Sequence, residues 1–195
     1  MKKHRGIIVK SFIPQKQKLC VLDETLGKIM CVPNRDHLSN GLQISYYAQE
    51  KNSTHFIHGI EIIDAAFSLA QEDILFYHHV LELCYYFVPL GSYAPALFDL
   101  LLYLYASPKN FFSTVTKKII LFKIFIALGI HPEDSRFQTP WLHRLASESI
   151  DNITDEIVNL SFEKVLDDWL FCCIAEHPYN EQFKTVRFLT MNRVI

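Results

Sequence analysis

Residues 42–64 read LQISYYAQEKNSTHFIHGIEIID, and they decide the class of the N-terminal part of the chain. Ile44, Tyr46 and Ala48 alternate with polar residues before Lys51-Asn52-Ser53, and Phe56, His58, Ile60 and Ile62 alternate after it. A period of two marks a strand with one buried face, and a short polar break between two such runs marks a hairpin. Residues 42–50 and 54–64 are therefore predicted to be paired strands.

The same signal continues upstream. Residues 6–12 carry Ile7, Ile8 and Val9; residues 19–23 carry Val21 and Leu22; residues 28–32 carry Ile29, Met30 and Val32. Pro14-Gln15-Lys16-Gln17 and Asp23-Glu24-Thr25-Leu26-Gly27 read as the turns between them. Five short strands predict a small closed barrel, because an open sheet would leave unpaired edges.

Beyond Asp64 the period changes to that of a helix. Ile74, Tyr77, Leu81, Cys84 and Val88 form a stripe that stops before Pro89. Pro95 opens a second helix carrying Leu97, Leu100, Leu101 and Leu104. Ser113 can cap a third, apolar nearly all round, with Gly129 as its stop. Thr139-Pro140 can open a short helix, and Ser161 can cap a last one that ends at His177-Pro178. The expectation is an α+β chain: a β-domain over residues 1–66 and an all-α helical domain over residues 67–195.

Of the 195 residues, 50% are apolar and 21% are charged, which excludes disorder and allows a sizeable core. The net charge of −2 hides a split. Residues 1–60 hold nine Lys/Arg against four Asp/Glu; residues 61–195 hold ten against 17. A basic half beside an acidic half suggests that only the first faces a polyanion. The five cysteines are odd in number and contain no C-x-x-C pair, so neither a disulfide framework nor a four-cysteine zinc site is expected. Buried thiols of a cytoplasmic protein are the expectation. No signal peptide is read in the basic start, since Lys10, Pro14, Lys16 and Lys18 interrupt any apolar run. Residues 83–105 are apolar but contain Pro89, Gly91, Pro95 and Asp99, so no membrane span is expected.

Enzymatic motifs are absent: no G-x-x-x-x-G-K, G-x-G-x-x-G, G-x-S-x-G or H-E-x-x-H occurs. The chain is expected not to be an enzyme, with no catalytic residue, metal or cofactor. In the cluster His78, His79 and Glu82, His78 and Glu82 share one helical face at i and i+4, but no convincing third ligand lies nearby. Cys172 and His177 could be drawn as nucleophile and base, but an inert buried thiol fits the apolar helix better. What remains is a set of basic residues among aromatics: Arg5, Lys10, Lys16, Lys18, Lys28 and Arg35 with Phe12 and Tyr46. Cations that follow phosphates and rings that stack on bases are what a nucleic-acid single strand requires. Solvated lysines and core aromatics would produce the same inventory.

In order, the segments resemble the RecO family of bacterial recombination mediators. Arg5-Gly6-Ile7-Ile8-Val9-Lys10 resembles the first strand of that family's OB domain, and Thr25-Leu26-Gly27-Lys28-Ile29 its second turn. Leu97-Phe98-Asp99-Leu100-Leu101, Leu128-Gly129-Ile130-His131-Pro132 and the closing Lys184-Thr185-Val186-Arg187-Phe188-Leu189 are similar to its helical domain. The resemblance implies a five-stranded OB-fold barrel followed by helices, and a DNA repair and recombination mediator acting by binding and strand annealing. It implies single-stranded DNA held by Arg5, Lys10, Phe12, Lys16, Lys18, Lys28, Arg35 and Tyr46. It also implies two protein partners, RecR and the acidic C-terminal tail of the single-strand-binding protein, the latter met by Lys117, Lys118, Lys123 and Arg187.

Two departures stand out. Residues 133–159 contain no cysteine where many RecO proteins carry a zinc module. Val32-Pro33-Asn34-Arg35-Asp36-His37 carries one permanent cation where the family has a basic loop. The alternative is a protein-interaction module on the same scaffold that has lost DNA binding.

Overall fold

The computed structural model describes residues 2–12, 17–35, 37–52, 54–106, 113–152 and 160–185. Among the described residues the architecture is α+β: a closed five-stranded OB-type barrel followed by five α-helices. The strands are β1 (Lys3–Ser11), β2 (Leu19–Asp23), β3 (Gly27–Pro33), β4 (Gln43–Lys51) and β5 (Thr54–Asp64). Their order around the barrel is β1-β2-β3-β5-β4, with β4 returning to β1. All pairings are antiparallel except β3 with β5.

The barrel core contains Ile8, Val21, Ile29, Cys31, Ile44, Tyr46, Ile57 and Ile60. In β4 the inward positions are those read from the sequence, Ile44 and Tyr46, with Ala48 packed beside them. In β5 only Ile60 of the expected set is inward, because the pairing with β4 shifts register between Ser45 and Tyr47. The shift puts Ile57 in the core and leaves Phe56 42% exposed, against the alternation. Ile62 departs from it: in register with Ile44, it is 45% exposed at the barrel end.

In β1 and β2 the apolar runs are continuous because both strand faces are covered. Ile7, Val9, Cys20 and Leu22 are buried although Ile8, Leu19 and Val21 already fill the interior. Helix α1 (Phe67–Phe87) packs against β1.

By internal contacts the chain separates into two compact units, Met1–Asn110 and Phe111–Ile195. The first contains the barrel, α1 and α2 (Pro95–Ala106); the change from strand to helix after Asp64 lies inside it. Asp64 Oδ1 accepts from the backbone N–H of Ala65 (2.6 Å) and Ala66 (2.9 Å), and so turns β5 into α1. Asp73 leaves helical geometry, and its Oδ1 caps the remainder of α1 through Phe76 N (2.9 Å). This break leaves Ile74 half exposed, whereas Tyr77, Leu81, Cys84 and Val88 are buried as the stripe predicted.

Tyr77 and Tyr105 both donate to the Gly41 carbonyl, at 2.8 and 2.7 Å. A Cβ on Gly41 would meet the Tyr77 hydroxyl at 2.2 Å, so this close approach requires glycine.

The second unit contains α3 (Thr114–Ala127), α4 (Pro140–Ser147) and α5 (Leu160–Ala175). Ser113 caps α3, its Oγ accepting from Thr116 N at 3.1 Å, and Gly129 follows the helix with φ +68°. Because α5 already includes Leu160, Ser161 falls in its first turn, not at the cap expected from the sequence. Short 3-10 turns at Ser135–Phe137 and Ile150–Asn152 flank α4. No helix among the described residues is long and apolar enough to cross a membrane.

Candidate nucleic-acid interface

OB barrels take up oligonucleotides on the β2–β3 face and on the β1–β2 and β4–β5 loops. In this chain the β2–β3 face is occupied from within. The turn after α1 pairs with β3: Lys28 N donates to Ser92 O (3.1 Å) and Gly91 N to Lys28 O (2.7 Å). Gly27, at φ +74°, is where this turn comes closest, since a Cβ there would meet Ser92 O at 2.3 Å. The Lys28 ammonium donates to the Tyr85 and Val88 carbonyls at the end of α1. Cations are favoured at that pole of a helix, although burial lowers the Lys28 pKa.

Three of the nominated residues meet at the mouth of the β1–β2 hairpin. Phe12 N donates to Lys18 O (2.9 Å), which closes the hairpin. The Phe12 ring stands edge-on to Tyr85, with centroids 6.2 Å apart. Lys10 Nζ lies 6.0 Å from the Tyr85 centroid, and Lys28 Nζ lies 5.0 Å from it. Tyr86 packs edge-on against Tyr85 at 4.9 Å. Lys10 and Lys18 are exposed, while Phe12, Tyr85 and Tyr86 are half-buried. Burial raises the Tyr85 pKa, which keeps its phenol neutral. Two exposed cations beside a partly open aromatic cluster can follow a phosphodiester chain and stack on its bases. Sequence reading missed Tyr85 and Tyr86. The signal was two adjacent tyrosines at the end of an amphipathic helix, where only one can face the core.

Apart from the buried Lys28, whose Nζ also reaches the Tyr85 ring, the other nominated residues that the structure describes are placed elsewhere. Tyr46 is fully buried and donates to Asp23 Oδ2 at 2.5 Å, so its ring presents no face to a base. Arg5 binds Glu24 through Nε (3.1 Å) and a terminal nitrogen (2.7 Å), with its guanidinium over the Phe98 ring. Lys28 is buried, as described. Arg35 is exposed just after β3. Lys16 lies outside the described residues. The excess charge of the first 60 residues is therefore not one groove: Lys3 is paired with Glu61 (2.6 Å) and Arg5 with Glu24, while Lys10 and Lys18 stay exposed.

In the second unit, Lys118 is fully buried between Glu163 Oε1 (2.7 Å) and the Asp167 carboxylate (2.9 Å). Lys123 donates to Ala146 O (2.9 Å) and to Glu148 O, and burial lowers its pKa. Burial closes Lys118 to a partner's carboxylate, and two of the three Lys123 donors are already taken. Lys117 is half-buried on the first turn of α3, and Arg187 lies outside the described residues.

A half-open cavity of about 290 Å³ lies in the same unit. Phe122, Phe137, Leu142 and Trp169 form its apolar wall, and His131 and His143 supply imidazoles. Leu128-Gly129-Ile130-His131-Pro132 and Thr139-Pro140-Trp141-Leu142-His143 carry both histidines, so their spacing was the available signal.

Among the described residues, no three His, Cys, Asp or Glu side chains form a group that could hold a metal ion. His79 Nδ1 lies 4.0 Å from Glu82 Oε2, one helical turn away. Burial raises the Cys172 pKa, the opposite of what an activated nucleophile requires. No protein-family model matches the chain, and no curated protein matches it.

Proposed function

We propose that this chain is a non-enzymatic, RecO-like mediator of DNA recombination and repair in the cytoplasm, whose OB barrel holds single-stranded DNA. The observation that carries this reading is the cluster of Lys10, Phe12 and Lys18 with Tyr85 at the β1–β2 mouth. Its work would be binding, annealing and handover, with no covalent step and no cofactor. RecR and the single-strand-binding protein are the proposed protein partners. An apolar cavity bordered by imidazoles suits an aromatic side chain beside a carboxylate, as at the end of an acidic tail.

Fluorescence anisotropy of labelled oligo-dT, titrated at several salt concentrations, tests the DNA reading. Wild-type protein binds at low salt and weakens steeply as salt rises, and Tyr85→Ala loses affinity at every salt concentration. Absence of binding at low salt overturns it.

The second reading, an interaction module without DNA binding, is favoured by the neutralisation of Arg5 by Glu24 and the burial of Lys28. A peptide ending in acidic and aromatic residues that binds while oligo-dT does not would select it.

A further inference from the structure

β5 outlasts the strand beside it. β4 accompanies β5 from Lys51↔Thr54 to Gln43↔Asp64, but β3 meets it only at His55, Phe56 and Ile57. β3 ends at Pro33, and the last bond across that edge runs from Asn34 N to Ile57 O (3.1 Å). Among the described residues, no backbone bond outside the strand ladders involves residues 59–63. This edge contains neither Lys nor Pro, residues that commonly protect a free strand edge.

The chain continues from this edge into a run of exposed apolar side chains. Ile62, Ile63, Phe67, Ile74 and Leu75 are 45% to 69% exposed and lie within one 14-residue span. Their exposed surface amounts to roughly 500 Å². A standard interface buries about 800 Å² on each partner, and about 65% of a homodimer contact is apolar. The side chains here offer apolar area of that order, divided between the two faces of β5, where Ile62 and Ile63 point oppositely, and the start of α1.

We propose that the free edge of β5 and the start of α1 form the contact between two copies of this chain. Charge selects that occupant. Residues 59–75 contain no Lys or Arg, so no cation is available for a nucleic acid. Of their four carboxylates, Glu61 is held by Lys3, Asp64 by the backbone of Ala65 and Ala66, and Asp73 by Phe76 N. Of the four, exposed Glu72 alone is left to a basic peptide, whereas the exposed apolar side chains of a second copy meet their own kind across a twofold.

Light scattering coupled to size exclusion, run on the full chain at about 1 to 100 µM, reads the contact. The mass rises towards twice the 22.7 kDa of one chain as concentration increases. Ile63→Lys and Leu75→Lys each weaken association about tenfold or more with an unchanged melting curve, while Leu90→Lys, an exposed site elsewhere, leaves it intact. A single-chain mass throughout overturns the proposal, as does a dimer that survives both substitutions. Should the variants fail to fold, hydrogen exchange of wild-type amides 61–64 decides. Protection that grows with concentration supports the contact; unchanged protection refutes it.

Discussion

Lys28 Nζ donates to the Val88 carbonyl at 2.5 Å, joining β3 to the end of α1 across 60 residues of sequence. The bond turns a surface-looking lysine into a structural fastening and closes the face that OB barrels commonly offer to nucleic acid. Lys28→Met keeps the bulk but removes the donor from the carbonyls of Tyr85 and Val88. The expected loss is about 1–3 kcal/mol, measured by urea unfolding.

Tyr46→Phe separates the core role of this residue from the stacking role expected from sequence. Its hydroxyl donates to Asp23, whose other oxygen accepts from Thr25 N and Leu26 N, both at 2.7 Å. Losing one bond to a buried carboxylate costs about 1.5–3 kcal/mol of stability. Oligo-dT affinity of the folded variant stays at the wild-type value.

Lys10→Ala with Lys18→Ala reports on the β1–β2 mouth. If each lysine neutralises one phosphate, the slope of log affinity against log salt flattens by about 1.4 for a single strand. Arg5→Ala, which removes a cation already paired with Glu24, leaves that slope nearly unchanged. Parallel salt titrations measure both.

Lys118→Ala strands the carboxylates of Glu163 and Asp167 beside a buried cavity. Removing one partner of a buried ionic group costs about 3–5 kcal/mol. Lys118→Met combined with Glu163→Gln and Asp167→Asn recovers much of this, because no buried carboxylate is then left. Thermal unfolding of the three proteins provides the comparison.

Alkaline pH destabilises the first unit through its thiols. Burial pushes Cys20 up to about 11 and Cys84 up to about 12, from an ordinary 9.0. A folded-state pKa above the unfolded one means stability that is complete below pH 9 and lost as pH rises towards 11–12. The wild-type melting temperature falls over that range, and Cys20→Ala with Cys84→Ala flattens the fall.

Much of the fold was legible because its signals are local. The hairpin of residues 42–64, the apolar runs of β1 and β2, and Ser113 with Gly129 around α3 all depend on neighbours a few residues away. The inward face of β5, by contrast, was misread because its register shift is set by pairing with β4. The sites were less legible. Lys10, Phe12 and Lys18 could be nominated by type, but so could Tyr46 and Lys28, which are buried. Tyr85 went unnoticed because a helical aromatic ordinarily reads as core.

Sequence by itself determined the strands, the helices and the surplus of cations in the first 60 residues, since propensity, periodicity and composition are properties of short stretches. Tertiary structure alone decided which of those cations face solvent. Glu24 neutralises Arg5 from 19 residues away, and the carbonyls of Tyr85 and Val88 take Lys28 from nearly 60. A lysine's exposure depends on what packs above it, and here that is a helix placed by the folding of the whole barrel.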